Sequence, residues 1–156
     1  MILPRQSQIW AVVKAGQPLQ KLYYQICSGL LGRLCFSGEP DALSAAQWTV
    51  MDEGTAFYGK AAPIIDHGVS QRFGSRIVSY RAPRGWQAVV RRGETQTLVV
   101  VHTFGAAPEA VTLPVGGKIA AQLMRDGLTV THPDGQLTVH GFTDFDAAAF
   151  ILENEV

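Results

Sequence analysis

The spacing of apolar residues changes once along this chain, and that change limits the folds that it can adopt. Before residues 66–74, apolar residues recur at every third or fourth position, as on one side of an α-helix. After them, short runs rich in β-branched and aromatic residues alternate with turn sequences such as APRG, VGGK and HPDGQ. The sequence therefore predicts an α+β chain with a helix-strand-helix segment over residues 1–68 and an antiparallel β domain over residues 74–156.

The first segment predicts two helices with one strand between them. The first helix begins near Pro18 and ends around Gly32. Its apolar side consists of Leu19, Leu22, Tyr23, Ile26, Cys27, Leu30 and Leu31. Residues 33–36 (RLCF) then predict a short inner strand. A lone parallel strand lacks neighbours at both edges, so this segment needs a partner.

The second helix has a clear start signal. Ser44 and Gln47 match the capping-box pattern, which predicts a helix from there to about Ala62. Trp48 follows the cap directly and is predicted to begin the buried side of the helix. That side also includes Met51, Phe57, Tyr58 and Ala61. We expect the apolar surface of the two helices to be covered by self-association or by packing on the β domain.

The second segment predicts eight strands joined by short turns. Their sequences are SRIVSYRA, GWQAVVRR, QTLVVVHTF, EAVTLPV, KIAAQLMR, LTVTH, QLTVHGF and FDAAAFILE. Strands at this spacing are typical of an antiparallel β-sandwich. Residues 98–101 are apolar without alternation, which predicts a central strand that is covered on both faces.

Charge and composition argue against several classes of protein. Thirteen basic residues balance thirteen acidic ones, so no net field favours nucleic acid or an anionic membrane. No apolar run reaches the roughly 18 residues of a membrane span, and no secretory signal is readable, so we predict a cytoplasmic protein. Cys27 and Cys35 lie among apolar residues and are predicted to be buried, reduced thiols.

The histidines and serines predict neither a metal site nor a hydrolase triad. The four histidines do not have the ligand spacing of a motif such as HExxH, and we predict no metal and no cofactor. They are His67, His102, His132 and His140. His102, within VVVHTF, is predicted to be a hydrogen-bonded core residue. Ser28 and Ser37 lack the Gly-x-Ser-x-Gly pattern of a nucleophile elbow.

Two groups of charged residues are predicted to face solvent. Residues 81–92 (RAPRGWQAVVRR) could form a platform for nucleic acid or sugar, but a neutral chain favours a hairpin with exposed arginines and with Trp86 between the sheets. Asp144 and Asp146 begin the last predicted strand, and they are too few for a calcium loop.

A long part of the sequence is similar to a known family. The run YYQICSGLLGRLCFSGEPDALSAAQWTVMDEGTAFYGKAAPIIDHG, followed by GWQAVVRR and LVVVHTF, resembles the C-terminal part of alpha-galactosidases of glycoside hydrolase family 36 and its clan. The resemblance covers residues 8–152. It implies the helix-strand-helix end of a (β/α)8 barrel followed by an antiparallel β-sandwich. It also implies an alpha-galactoside as the substrate of the full-length parent.

The resemblance implies a role for one turn. Ser37, Gly38 and Glu39 would follow the last barrel strand and form a wall of the sugar pocket. The family's usual turn is Ser-Gly-Asp, so this chain carries an acidic side chain that is one methylene longer. The two catalytic aspartates of the family lie on upstream barrel strands, so no residue here inherits a catalytic role.

Local carboxylate pairs do not replace those aspartates. Glu39 and Asp41 share one turn, and Asp52 and Glu53 are adjacent on a helix, whereas retaining hydrolysis needs two opposed carboxyl groups. The resemblance therefore implies a C-terminal part of an alpha-galactosidase-like enzyme, and without the two aspartates we expect this part to be inactive alone. The alternative is a non-catalytic module that binds carbohydrate or a partner protein.

Overall fold

The computed structural model describes residues 3–155, so Met1, Ile2 and Val156 of the predicted segments lie outside the described residues. The first part of the chain is a strand-helix-strand-helix unit. Its elements are β1 (Gln8–Val13), α1 (Leu19–Gly29), β2 (Arg33–Gly38) and α2 (Ala45–His67). The strands β1 and β2 are parallel, and their register runs from Gln8 opposite Arg33 to Val13 opposite Gly38.

Strand β1 is absent from the predicted elements. Its apolar run of five residues, 9–13, fits either a strand or a buried helical segment, and periodicity cannot distinguish the two. The pairing with β2 decides the matter, because it satisfies the backbone groups along one edge of each strand. The chain thus contains two consecutive parallel strands rather than the single strand that the sequence predicts.

The predicted start of α2 is confirmed, but its predicted end is wrong. The Ser44 hydroxyl accepts a hydrogen bond from the Gln47 amide at 3.3 Å, and the Gln47 side chain accepts one from the Ser44 amide at 3.0 Å. The helix continues past Ala62 and through Pro63 to His67. Ile64 and Ile65 are buried there, and this burial offsets the backbone hydrogen bond that a proline removes.

The prediction that Trp48 begins the buried side of α2 is wrong. Its side chain is 43% exposed, whereas Gln47 is buried. The reciprocal cap turns Gln47 toward the protein, where its amide donates to the carbonyl groups of Lys14 and Gln17 at 3.1 and 3.2 Å. An apolar residue next to the cap is therefore directed outward.

We expect Ser44→Ala to destabilise the protein more than Trp48→Ala. Loss of the cap should lower the free energy of unfolding by about 0.5–2 kcal/mol, while Trp48→Ala at this half-exposed position should cost less than about 0.5 kcal/mol. Urea unfolding of both variants measures the difference. A larger loss for Trp48→Ala would mean that this indole is enclosed in solution, contrary to its exposure here.

Eight antiparallel strands follow the helices and form two sheets. They are β3 (Val69–Gly74), β4 (Trp86–Arg92), β5 (Gln96–Thr103), β6 (Ala110–Pro114), β7 (Lys118–Met124), β8 (Thr129–Thr131), β9 (Gln136–His140) and β10 (Ala147–Glu153). The order is β3-β4-β5-β10-β7 in one sheet and β6-β9-β8 in the other. The α+β class is confirmed, and the two antiparallel sheets are consistent with a sandwich.

The five-stranded sheet is covered on both faces. On one face, Leu98 and Val100 of β5 join a core cluster with the two helices. On the other face, Val99 and Val101 join a second cluster with the three-stranded sheet. The prediction of a central strand at residues 98–101 is therefore confirmed, and the helices pack against the β domain.

Two boundaries in the β domain differ from the predictions. Residues 75–82 (SRIVSYRA) form an irregular loop rather than a strand, and Val78 and Tyr80 are almost fully exposed. Strand β3, at Val69–Gly74, instead pairs with β4 from within the predicted linker. Strand pairing decides this edge, because Val78 and Tyr80 of the loop remain in solvent and cover no face of the sheet.

Two charged residues that are predicted to face solvent are buried. Arg91 is 3% exposed and donates hydrogen bonds to the Ser70 hydroxyl and to the Leu31 carbonyl at 2.9 and 3.0 Å. Asp146 is fully buried and is ion-paired with Arg125. Buried charges need such partners, and these partners lie far away in sequence. Trp86 is half-buried against the cluster between the sheets, as predicted.

Candidate functional site

The predicted pocket turn lies at the carboxyl end of β2. Ser37 and Gly38 are opposite Val12 and Val13 of β1, and the Glu39 amide donates to the Val13 carbonyl at 3.0 Å. Ser37 is half-buried, while Gly38 and Glu39 are exposed. The two parallel strands therefore end at one edge, formed by Val12 and Val13 of β1 and by Ser37, Gly38 and Glu39, and we call it the strand-end edge. Side chains there can contact a ligand above the sheet.

A glycine is required at position 38. Its φ of +114° lies in a region that other residues avoid, and a Cβ atom there would overlap the Val13 carbonyl oxygen. Gly38 thus allows β1 to approach closely at the edge and orients the Glu39 backbone toward β1. The sequence signal for this requirement was only the small residue after the strand.

Gln47 connects the β1–α1 loop to the start of α2. Its side-chain amide donates hydrogen bonds to the carbonyl groups of Lys14 and Gln17 in that loop. Gln25 of α1 adds a second connection, because its side chain donates to the Val12 carbonyl at 3.0 Å. These amides hold both loops of the strand-end edge in place. Sequence reasoning found Gln47 as a capping residue but missed this positioning role.

One face of the parallel β1–β2 pair is open. Ala11 and Val13 face the helices and are buried, but Trp10 and Val12 point the other way and are 57% and 39% exposed. Parallel sheets are nearly always covered on both faces. Trp10 and Val12 therefore form an apolar surface that residues 3–155 leave uncovered; we call these two side chains the open face.

The local carboxylates are arranged for structure rather than hydrolysis. Glu39, Asp41 and Asp52 are exposed. Glu53 accepts a hydrogen bond from the Tyr23 hydroxyl at 2.8 Å. Burial, reinforced by that hydrogen bond, raises the pKa of Tyr23 well above 10.0, so the phenol stays protonated.

A serine and a histidine meet between α1 and β5. The Ser28 hydroxyl lies 3.1 Å from His102 Nε2 and also donates to the Tyr24 carbonyl at 2.9 Å. When the hydroxyl proton is donated to the Tyr24 carbonyl, Ser28 Oγ can accept a hydrogen bond from a protonated Nε2, so both polar groups have partners in the core. The Tyr24 ring packs edge-on against His102 at 5.0 Å. The prediction of a hydrogen-bonded core histidine is confirmed.

The remaining histidines are dispersed. His67 ends α2 and pairs with Asp66 at 3.0 Å, and His132 Nε2 lies 2.6 Å from the Val115 carbonyl. Within residues 3–155, no cluster of three or more His, Cys, Asp or Glu side chains is arranged for a metal ion.

Cys27 is buried and Cys35 half-buried, both are free, and burial raises the pKa of the Cys27 thiol well above 9.0. Among the described residues, neither helix has the length and apolar character needed to cross a membrane.

Comparison with known proteins shows similarity in structure but none in sequence. The chain matches no family model and no curated protein sequence. The galactosidase domain of an alpha-galactosidase-sucrose kinase superimposes with a TM-score of 0.57 and 16% identity, over 95% of this chain and 22% of its own. A family 36 alpha-galactosidase from Geobacillus stearothermophilus in complex with raffinose gives 0.58 and 13%, over 97% of this chain and 22% of its own.

An enzyme with another activity shares the same arrangement. An alpha-amylase from H. orenii superimposes with a TM-score of 0.54 and 13% identity, over 90% of this chain and 36% of its own.

The chain spans about a fifth of the length of the alpha-galactosidases that it matches. It shares the fold of the C-terminal part of family 36 alpha-galactosidases.

Proposed function

We propose that this chain is the C-terminal part of an alpha-galactosidase-like retaining glycoside hydrolase. Residues 1–68 would complete a (β/α)8 barrel, and residues 74–156 would form its C-terminal sandwich domain. The observation that carries the proposal is the parallel β1-α1-β2-α2 unit with one uncovered face, followed by two antiparallel sheets. This order is the one superimposed on the alpha-galactosidases.

The open face fits the inside of a barrel. In such barrels helices cover the outer face of the strands, and side chains from other strands fill the inner face. Trp10 and Val12 would contact those strands, and each free edge of the β1–β2 pair would gain a neighbour. The exposed apolar surface and the unpaired edges would then both be covered.

The strand-end edge would contribute to the mouth of the barrel. Substrates bind there, at the carboxyl ends of the strands. Ser37, Gly38 and Glu39 would form part of the wall of a pocket for a terminal alpha-linked galactose. The small Ser37 and Gly38 leave space for a sugar ring, and the Glu39 carboxylate can accept hydrogen bonds from sugar hydroxyl groups.

Catalysis would need residues outside this sequence. Retention requires two carboxyl groups about 5–5.5 Å apart across the glycosidic bond. Glu39 and Asp41 belong to one turn, and both are exposed, so they do not face each other across a glycosidic bond. We therefore expect a positioning role for Glu39 and no hydrolysis by the chain alone.

The second candidate is a free-standing module that binds carbohydrate or a partner protein. Trp10, exposed on a sheet face, favours it, since exposed apolar surface often marks an interaction site. A coding sequence upstream that supplies the other strands and two opposed aspartates would support the enzyme. Its absence would support the module.

We expect the purified chain to hydrolyse nitrophenyl alpha-galactoside no faster than buffer, because both catalytic carboxylates are missing. Release of nitrophenol is the measurement, with Glu39→Gln and its neighbour Asp41→Asn as matched variants. Turnover that persists through purification and disappears only in Glu39→Gln would contradict the proposed positioning role of Glu39.

A further inference from the structure

A cleft of about 440 Å³ opens between the first turns of α1 and the loop that precedes β10. We call it the Phe145 cleft. Its lining consists of Pro18, Gln20, Lys21, Tyr24, Asp144 and Phe145. Ser37, Gly38 and Glu39 are not among the lining residues. Its volume lies in the range of sites that bind small molecules.

Phe145 is displayed in the cleft at a cost to the backbone. Its side chain is 49% exposed, and its φ of +56° lies in the left-handed region. Side chains larger than glycine or asparagine are disfavoured there, and an exposed phenyl ring contributes little to folding. Residues in such conformations concentrate at functional sites. Phe145 therefore keeps about half of its side chain in solvent, on a backbone conformation that few residues adopt.

The loop that carries Phe145 is held from two sides. The Gln20 side-chain amide donates to the Thr143 hydroxyl and to the Asp144 carbonyl, both at 3.0 Å, and lies 3.4 Å from the Phe145 carbonyl. The Ala107 amide donates to Asp144 Oδ1 at 2.8 Å. These bonds fix the backbone before any ligand arrives, so a ligand meets an aromatic ring already in position.

A second ring completes the apolar part of the cleft. The Tyr24 and Phe145 rings lie 6.5 Å apart, with their planes at 65°. Together they form an open corner rather than a closed slot. Tyr24 is itself supported from behind by His102. One wall of the corner is thus anchored in the core and the other is fixed by the loop.

The polar groups at the rim indicate the class of ligand. Asp144 Oδ1 accepts the hydrogen bond from the Ala107 amide, so Oδ2 remains able to accept a hydrogen bond from a ligand. The Lys21 ammonium can donate a hydrogen bond to a ligand. A pyranose ring has C–H faces that pack on aromatic rings and hydroxyl groups around its edge that pair with such donors and acceptors. A wholly apolar ligand would cover Lys21 and Asp144 without bonding them, which is unfavourable.

We propose that the Phe145 cleft binds a hexopyranose sugar. The Phe145 ring stacks on the sugar face, Tyr24 forms the side wall, and Asp144 and Lys21 hydrogen-bond the hydroxyl groups. The choice of galactose among hexoses rests on the proposed function; the site itself does not. In a longer enzyme the cleft would hold one sugar unit of an oligosaccharide.

The test is titration of the ¹⁵N-labelled chain with raffinose, methyl alpha-galactoside and methyl alpha-glucoside, with amide shifts followed by NMR. We expect saturable shifts at Lys21 and Asp144 with millimolar affinity for at least one of the three sugars. Phe145→Asn should weaken binding at least about tenfold, which is the loss of roughly one good contact. Asparagine tolerates the left-handed backbone, so its melting temperature should match or exceed that of the parent.

A matched control separates stacking from general loss of aromatic surface. Tyr80→Ala removes a ring that is 83% exposed in the loop before β4, and it should leave the titration unchanged. The proposal is overturned if none of the sugars gives saturable shifts up to about 50 mM, far above millimolar affinity. It is also overturned if binding survives in the folded Phe145→Asn chain. Neither outcome bears on hydrolysis of nitrophenyl alpha-galactoside, which tests the proposed function separately.

Discussion

Asp146→Ala is expected to lower the free energy of unfolding by about 3–5 kcal/mol, because it would leave Arg125 buried without its partner. The Arg125 side chain is only 18% exposed, and Asp146 is fully buried. Arg125 Nε and Nη2 donate to Asp146 Oδ2 at 2.9 and 2.6 Å. The other carboxylate oxygen accepts from the Ala147 amide at 3.0 Å.

The same network fixes the start of β10. The Thr103 hydroxyl donates to the Thr143 carbonyl at 2.7 Å and accepts from the Asp146 amide at 3.1 Å. Arg125 Nη2 also donates to the Gly141 carbonyl at 3.0 Å. Loss of the carboxylate should therefore loosen the loop before β10 as well as unpair a charge.

Denaturant unfolding of Asp146→Ala and of Asp126→Ala measures this effect. Asp126 is adjacent to Arg125 but exposed, so its loss should change stability by less than about 0.5 kcal/mol. The Arg125→Ala/Asp146→Ala double variant should lose less than the sum of the single losses, because no unpaired charge remains. If Asp146→Ala costs no more than Asp126→Ala, then Arg125 reaches water and the pair contributes little.

Acidification from pH 7 to pH 4 is expected to remove about 3 kcal/mol of stability through His102 alone. Burial lowers the pKa of His102 from 6.5 to about 4, against a smaller opposing effect of the Tyr24 backbone. Well above pH 6.5 the imidazole is neutral in both states and contributes nothing to the pH dependence. Between pH 6.5 and about 4 only the unfolded chain takes up the proton, so stability falls as the pH falls.

His102→Gln isolates this contribution from that of the carboxylates. Glutamine can keep a hydrogen bond to Ser28 but does not titrate. Tyr24, which packs against His102, has a pKa that burial raises above 10.0, so it stays neutral throughout. Urea unfolding at pH 7, 5.5 and 4 should show about 3 kcal/mol less acid loss for the variant than for the parent. Equal losses would mean that His102 is accessible to protons in the folded state.

Much of the helical segment could be predicted because its signals are local. The Ser44 and Gln47 pattern depends on bonds between residues three positions apart, and it placed the start of α2 correctly. The end at Ala62 failed because α2 continues where Ile64 and Ile65 contact the sheet. A helix end without a strong stop signal is decided by what the last turn packs against.

The candidate site, too, could be predicted from the sequence only in part. The small and acidic turn Ser37, Gly38 and Glu39 is visible in the sequence, but the strand beside it is not. Glycine is required at position 38 only because β1 lies opposite and leaves no space for a Cβ atom. Similarly, Phe145 occurs in a run that predicts a strand, and its backbone conformation and exposure follow from the bonds that Gln20 makes to its loop.

The sequence by itself determined that a helical segment precedes the antiparallel strands, that Ser44 caps α2 and that β5 is a buried central strand, because each depends on spacing within a few residues. Tertiary structure decided which polar side chains are buried. Arg91 meets Leu31 across 60 residues and Asp146 meets Arg125 across 21, and no local pattern records such partners. The physical reason is that burying a charge is favourable only when a distant group pairs with it, whereas an apolar periodicity carries its preference for burial along the chain itself.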